Sequence, residues 1–346
     1  MGQRRSRTRI ALYAGGGTGT AMAAGAATLS AVIWGEIKLA RRRIPVATDP
    51  PPPSNDTTWA AAGVSRTRPP IRIAMLGDST SAGYGVYRDR DTPGAQLAIG
   101  ISEVARRPVH LTNLAVVGAE SKDLLDQVDA LAALRGRSDL VVLIVGANDV
   151  TERTAPKDAV PLLESAIARI CSLGAEVVVG TCPDLGTIRP LAQPLRAYAR
   201  RLSRRMAKAQ TVAVVRAGGR TVSLGDLLGP LFATHLEYFS EDRFHPSAAG
   251  YAEAAQAILP SALDALGVST RVRSASTFTT RRVKTVQRAA AQAVVRPGTE
   301  VAPAERFGRA EGRRGQFAQL LRRRRPRDAP HTSPEAATPV PDGPVT

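Results

Sequence analysis

Aromatic residues are scarce: two Trp, six Tyr and six Phe among 346 residues, 4% in all, although 43% of the chain is hydrophobic. A core built from this composition has to be filled by Ala, Val, Leu and Ile. Cysteine is scarcer still. Cys171 and Cys182 stand alone with no Cys-x-x-Cys pair, which excludes a disulfide scaffold and leaves open either one bond or two thiols. Only four histidines occur, and no His/Cys/Asp group has metal-ligand spacing, which argues against zinc chemistry. No Gly-x-Ser-x-Gly elbow is present, which argues against the nucleophile turn of an α/β-hydrolase. The run Gly15-Gly16-Gly17-Thr18-Gly19 follows no strand, so it does not read as a phosphate loop. No metal or other cofactor is expected.

Acidic residues are thin at both ends, and this explains the formal net charge of +17. Residues 1–69 hold ten Lys/Arg against three Asp/Glu, residues 268–346 sixteen against six, and residues 70–267 twenty-one of each. A neutral globular middle therefore lies between two basic ends. Such ends are solvated or membrane-facing, and no specific nucleic acid partner is expected.

Behind Arg4, Arg5, Arg7 and Arg9, the stretch Ile10 to Gly35 contains no charged residue. A bilayer core needs roughly 20 apolar residues in a helix, and this run is long enough. It is long for a cleaved signal peptide. Its small residues suit helix–helix contact in lipid, and Trp34 near its end suits the headgroup layer. Lys38 and Arg41 to Arg43 balance the N-terminal arginines, and the free amino group tips the orientation towards N-in. Residues 1–44 are expected to be a basic segment and single-pass membrane anchor, with the rest of the chain outside the cell membrane. Residues 45–70, with Pro50 to Pro53, read as a stiff linker that would hold a domain off that surface. Residues 268–346, with Arg322 to Arg325 in a row, read as a mostly disordered tail containing a short helix around Val286–Val295.

From residue 71 to 267 short apolar runs alternate with longer amphipathic ones. Ile71–Leu76, His110–Val117, Leu140–Val145, Val177–Gly180 and Val212–Val215 read as buried strands. Gln96–Arg106, Asp123–Leu134, Ala159–Leu173, Leu195–Ala209 and Ser247–Leu266 read as helices. The alternation implies a parallel sheet with helices on both faces, with its active site at the carboxyl ends of the strands.

Gly77-Asp78-Ser79-Thr80-Ser81 follows the first strand directly. A Ser there is a nucleophile only if a base takes its proton, and the base should be a His oriented by a carboxylate. His331 lies in the tail, His110 opens a strand, and His235 lacks an acid three residues before it. His245 has Asp242 three residues earlier and Pro246 directly after, at the start of the last helix. Ser79, His245 and Asp242 are the candidate triad, with Ser81 the nearby rival nucleophile.

These segments resemble the blocks of the SGNH/GDSL hydrolases. Gly77-Asp78-Ser79 is similar to the name-giving motif, with Thr80 where the family usually has Leu. Asn113 to Gly118 resembles the second block, Gly146-Ala147-Asn148-Asp149 the third, and Asp242-Arg243-Phe244-His245 the closing one. The resemblance implies a three-layer α/β/α sandwich with a flavodoxin-like sheet. It also implies an oxyanion hole formed by the N–H of Ser79, the N–H of Gly118 and the amide of Asn148, with Asp149 fixing the site's loops. The activity implied is a membrane-anchored bacterial serine esterase. Short acyl esters, envelope O-acetyl groups and lipids are all open as substrates, and the small residues Thr80 to Gly83 favour short acyl chains. The alternative is a membrane-tethered interaction protein whose basic ends bind anionic lipid or nucleic acid.

Overall fold

The computed structural model describes residues 28, 31, 32, 35, 36, 38, 39, 56–188, 190–225, 234–268, 282–295, 299–303, 305, 306, 309, 310 and 317–322. Most of the uncharged run 10–35, and much of the linker and basic tail, lie outside these residues. Among the described residues no helix is long and apolar enough to cross a membrane.

The sheet's centre is five parallel strands, in the spatial order β3 (Val109–Asn113), β2 (Ile71–Gly77), β4 (Leu140–Ile144), β5 (Glu176–Gly180) and β6 (Arg220–Val222). β1 (Asp56–Trp59) covers the β3 edge in antiparallel register, Asp56 opposite Thr112. His110 holds it there. Its Nε2 meets Asp56 Oδ1 at 2.8 Å and its Nδ1 meets Thr58 Oγ1 at 3.1 Å.

β4 shows why the apolar runs are unbroken. Leu140, Val142 and Ile144 face a cluster with Leu97, Ile101 and Ile258, from the helices Pro93–Ala105 and Ala248–Ala265. Val141, Leu143 and Val145 face a second cluster with Val128, Leu163 and Ile167, from the helices Leu124–Ala133 and Pro156–Ser172. A strand buried on both faces has no polar side to alternate with. Each such side chain contributes about 1.5–3 kcal/mol by burial, so truncating Leu143 to Ala would cost about 2–5 kcal/mol.

Four expectations need correction. The linker expected over residues 45–70 joins the sheet from Asp56 on, as β1. Val212–Val215 is no strand. It is the last turn of the helix Leu195–Arg216, buried on the second face, and the strand is the three-residue β6 beyond Gly218 and Gly219. The strand expected over His110–Val117 stops at Asn113, whose Oδ1 accepts the Ala115 N–H and turns the chain away.

The last correction concerns the tail. β7 (Arg282–Thr285), β8 (Thr299–Pro303) and β11 (Phe317–Arg322) extend the sheet to nine strands, with β8 antiparallel to β6 and the order running on through β11 to β7. A separate two-stranded ladder pairs β9 (Glu305–Arg306) with β10 (Arg309–Ala310). The sheet is therefore mixed, parallel at its centre, and part of the basic tail belongs to it. The expected short helix is present as Val286–Ala293. Its Val286, Ala289 and Ala293 pack on Val215 and Val301, a 3.6-residue stripe closing the end of the sheet.

Candidate active site

Ser79 stands where the strand order reverses, off the carboxyl end of β2 with β3 on one side and β4 on the other. A crevice opens at such a point in a doubly wound sheet. Gly77 makes the turn possible. Its φ is +124°, and a Cβ would lie 1.9 Å from the Ile144 carbonyl oxygen. Gln127 clasps this glycine from the next helix, accepting its N–H at 2.7 Å and donating to its carbonyl at 2.9 Å. Asp78 then caps the four-residue helix Ser79–Ala82 by accepting the Thr80 N–H at 2.9 Å.

The closing motif comes from the far end of the domain, just before the helix Ala248–Ala265. His245 Nε2 lies 2.9 Å from Ser79 Oγ, and His245 Nδ1 lies 2.6 Å from Asp242 Oδ2. Asp242 Oδ1 accepts hydrogen bonds from Ser240 Oγ at 2.6 Å and from the N–H groups of Phe244 and His245 at 2.8 and 2.9 Å. The loop closes on itself with Arg243 at φ +56°. Burial alone would push the Asp242 carboxyl up. The hydrogen bonds from His245, Ser240 and the two backbone groups outweigh it and hold the acid well below the usual carboxylate range. Asp242 Oδ2, His245 Nδ1 and Nε2, and Ser79 Oγ thus stand in one line of hydrogen-bonding contacts.

Rings wall the imidazole. The Tyr84 ring centroid is 4.8 Å from that of His245 and the Phe244 centroid 4.9 Å. Tyr251, fully buried, donates its hydroxyl to the Tyr84 carbonyl at 2.6 Å and so sets the Tyr84 segment. A Cβ on Gly85 would meet Ser240 Oγ at 2.9 Å, which leaves little space on this side of His245.

Ser81 is fully buried. Its Oγ accepts the Ile144 N–H at 3.1 Å and lies 3.4 Å from the Ile144 carbonyl, so it ties β2 to β4 and faces no substrate. Asn148 follows Gly146 in the short helix Ala147–Thr151. One of its amide N–H groups donates to the Ala119 carbonyl at 2.9 Å, which leaves the second. Gly118 is in the same loop, at φ +84°, and this loop is fastened beside Ser79 by the Val116 N–H to the Gly77 carbonyl at 3.0 Å. Asp149, fully buried, accepts from the Ser121 N–H and hydroxyl at 3.2 and 3.1 Å. Burial, outweighing those bonds, pushes its carboxyl up.

Residues that the sequence did not single out also hold the site. Gln210 accepts the Cys182 N–H at 2.8 Å and donates to the Val145 carbonyl at 2.9 Å, bridging the ends of β4 and β5. Gln127 is the one polar residue among the buried positions of its helix, and that interruption is the signal that could have found it, whereas Gln210 shares its buried face with Ser203 and Thr211. Both cysteines are free thiols. Among the described residues no group of His, Cys, Asp or Glu could hold a metal ion.

The GDSL-like lipase/acylhydrolase family model matches residues 75–253, from within β2 to the helix that follows His245. The chain belongs to this family. A GDSL-like esterase of Mycobacterium tuberculosis (strain ATCC 25618 / H37Rv) is 40% identical over 269 residues, 75% of this chain and 84% of that one. This GDSL family member is a serine esterase. Solved structures similar to it include a lipolytic protein of the G-D-S-L family from Veillonella parvula, at 17% identity and TM-score 0.45 over 55% of this chain and 96% of that one. Another is an acetyl-xylooligosaccharide esterase from Geobacillus stearothermophilus, at 17% identity and TM-score 0.44 over 60% of this chain and 99% of that one.

Proposed function

We propose that the protein hydrolyses carboxylic esters of short acyl groups through a Ser79-His245-Asp242 triad and an acyl-enzyme. The observation that carries this reading is the unbroken relay from Ser79 Oγ through Nε2 and Nδ1 to Asp242, at 2.9 and 2.6 Å. Ser79 Oγ attacks the acyl carbon while its proton passes to Nε2. The oxyanion that develops is met by the N–H groups of Ser79 and Gly118 and by the second amide N–H of Asn148. As the tetrahedral intermediate collapses, Nε2 returns the proton to the leaving alcohol. Water then attacks the acyl-enzyme, Nε2 takes its proton, and Ser79 leaves with the proton back on Oγ.

Support for short acyl groups comes from the crowding of His245 by Tyr84, Phe244 and Gly85. The small residues Ser81 and Ala82 lend none, because both are buried beneath the site. The test is a series of p-nitrophenyl esters of rising acyl length, with kcat/KM expected to fall along it. Ser79→Ala should abolish both hydrolysis and labelling by a fluorophosphonate probe.

The location belongs to the same reading. The uncharged run 10–35, flanked by arginines, anchors the chain in the cell membrane with the catalytic domain outside.

A further inference from the structure

We infer that the catalytic edge of this domain docks on a lipid bilayer, so that the ester it receives is one presented at the membrane surface. The inference rests on the esterase reading above and adds where its substrate lies. Exposed apolar side chains gather round the triad. Val116 and Val117, 53% and 46% exposed, directly precede Gly118. Tyr87, 74% exposed, reaches Glu241 beside Asp242. Leu236, 56% exposed, opens the turn whose Tyr238 carbonyl accepts the Ser247 N–H next to His245. Tyr198, 40% exposed, lies in the first turn of the helix Leu195–Arg216, which also begins at this edge. Several exposed apolar side chains at one catalytic edge suit an interaction surface.

The chain itself says what covers it. The 2.8 Å hydrogen bond from the Leu195 N–H to Glu36 Oε2 fastens the residue that ends the uncharged run 10–35 to this same edge. The chain between the run 10–35 and β1 at Asp56 would by itself let the domain stand off. The Glu36 contact instead sets the catalytic mouth beside the point where the anchor emerges. Lys38 and Arg41 to Arg43 follow in the sequence, a cationic run of the kind that anionic headgroups attract.

The opposite edge is a poorer candidate although it is basic. Five of its guanidinium groups are engaged on backbone carbonyls, Arg68 on Arg106, Arg106 on Gly63, Arg107 on Pro69, Arg72 on Arg135 and Arg137 on Gly174.

The experiment uses the full chain reconstituted in vesicles of phosphatidylcholine with a minor share of phosphatidylglycerol. Two esters with the same acyl group are compared, soluble p-nitrophenyl acetate and octadecyl acetate dissolved in the vesicle. The Leu236→Ser/Tyr198→Ser double variant should keep its rate on the soluble ester and lose on the order of tenfold on the vesicle-borne one, the cost of leaving two apolar anchors out of the interface. Glu36→Ala should shift the same ratio in the same direction. Equal rates for wild type and double variant on octadecyl acetate would overturn the inference and leave the esterase reading standing. So would a loss seen only on reversing Arg135 and Arg137 to Glu, which would assign docking to the other edge. A double variant that alters the oligomeric state by sedimentation would make the rim a contact between copies and overturn it too. No hydrolysis of p-nitrophenyl acetate by the wild type would instead defeat the esterase reading itself.

Discussion

Ser79 and Ser81 lie two residues apart, yet one faces Nε2 of His245 and the other is locked between β2 and β4. Ser79→Ala should therefore remove hydrolysis with an unchanged melting temperature. Ser81→Ala should keep the chemistry and lose about 1–3 kcal/mol of stability by leaving the Ile144 N–H unpaired, as read from urea denaturation. Full activity in Ser79→Ala would refute the assignment. Asn148→Ala should lower kcat roughly 10²–10³-fold with KM little changed, because its second N–H is needed only when the oxyanion forms. A change confined to KM would make Asn148 a substrate-binding residue.

Two acids, the half-buried Asp242 and the buried Asp78, have opposite signs with pH. The Asp242 carboxyl is depressed, so its contribution to stability is present above the ordinary carboxylate value of 3.8 and lost as pH falls through its own lower value. Burial pushes the Asp78 carboxyl up to about 6, and its Oδ2 has no partner among the described residues. The folded state thus holds that proton more tightly than the unfolded chain. The stability tied to it is full below 3.8 and lost as pH rises through about 6. Asp78→Asn keeps an acceptor for the Thr80 N–H and removes the titration. It should raise stability near pH 8 by something on the order of 1–3 kcal/mol and change little near pH 4. Equal effects at both pH values in thermal melts would show that Asp78 does not titrate in this way.

At the scale of elements, the last parallel strand is only three residues long and would be an open edge without the tail. β8 pairs with it, Thr221 opposite Val301, and the helix Val286–Ala293 covers Val215 and Val301. A chain ended at Val268 exposes unpaired backbone groups and that apolar surface together. It should melt lower than the full chain and self-associate, as seen by light scattering during a thermal scan. An unchanged melting temperature and a monomeric product would show that the C-terminal strands add nothing to the domain. The short helix at Val286 was legible from its 3.6-residue stripe. The strands beside it were not, because segments as short as Arg282–Thr285 and Thr299–Pro303 are too brief to show an apolar period. Their strand state comes from pairing partners far away in sequence.

For the whole molecule, the net charge of +17 is a property of the ends and not of the neutral catalytic domain. If the run 10–35 spans the membrane with the domain outside, protease treatment of intact cells carrying a C-terminal tag should remove the tag. A tag protected until the membrane is opened would place the catalytic domain inside. Long domains translocate largely regardless of charge, so the arginines at 322–325 do not oppose export.

The sequence by itself determined the elements whose signal is local. β2, β4 and β5 were readable because a strand buried on both faces must be a continuous apolar run. That Ser79, His245 and Asp242 would meet could be expected because triad chemistry restricts the residue types and the chain has few histidines. Tertiary structure decided the rest. Ser79 and His245, 166 positions apart in sequence, close to a 2.9 Å contact only when the last helix packs on the sheet. The same packing buried Ser81, chose Gln127 and Gln210 as clasps, and turned Val212–Val215 into the end of a long helix. It also drew part of a basic tail into the sheet, because a hydrogen-bonding edge accepts any segment that can pair with it, whatever that segment's own propensity.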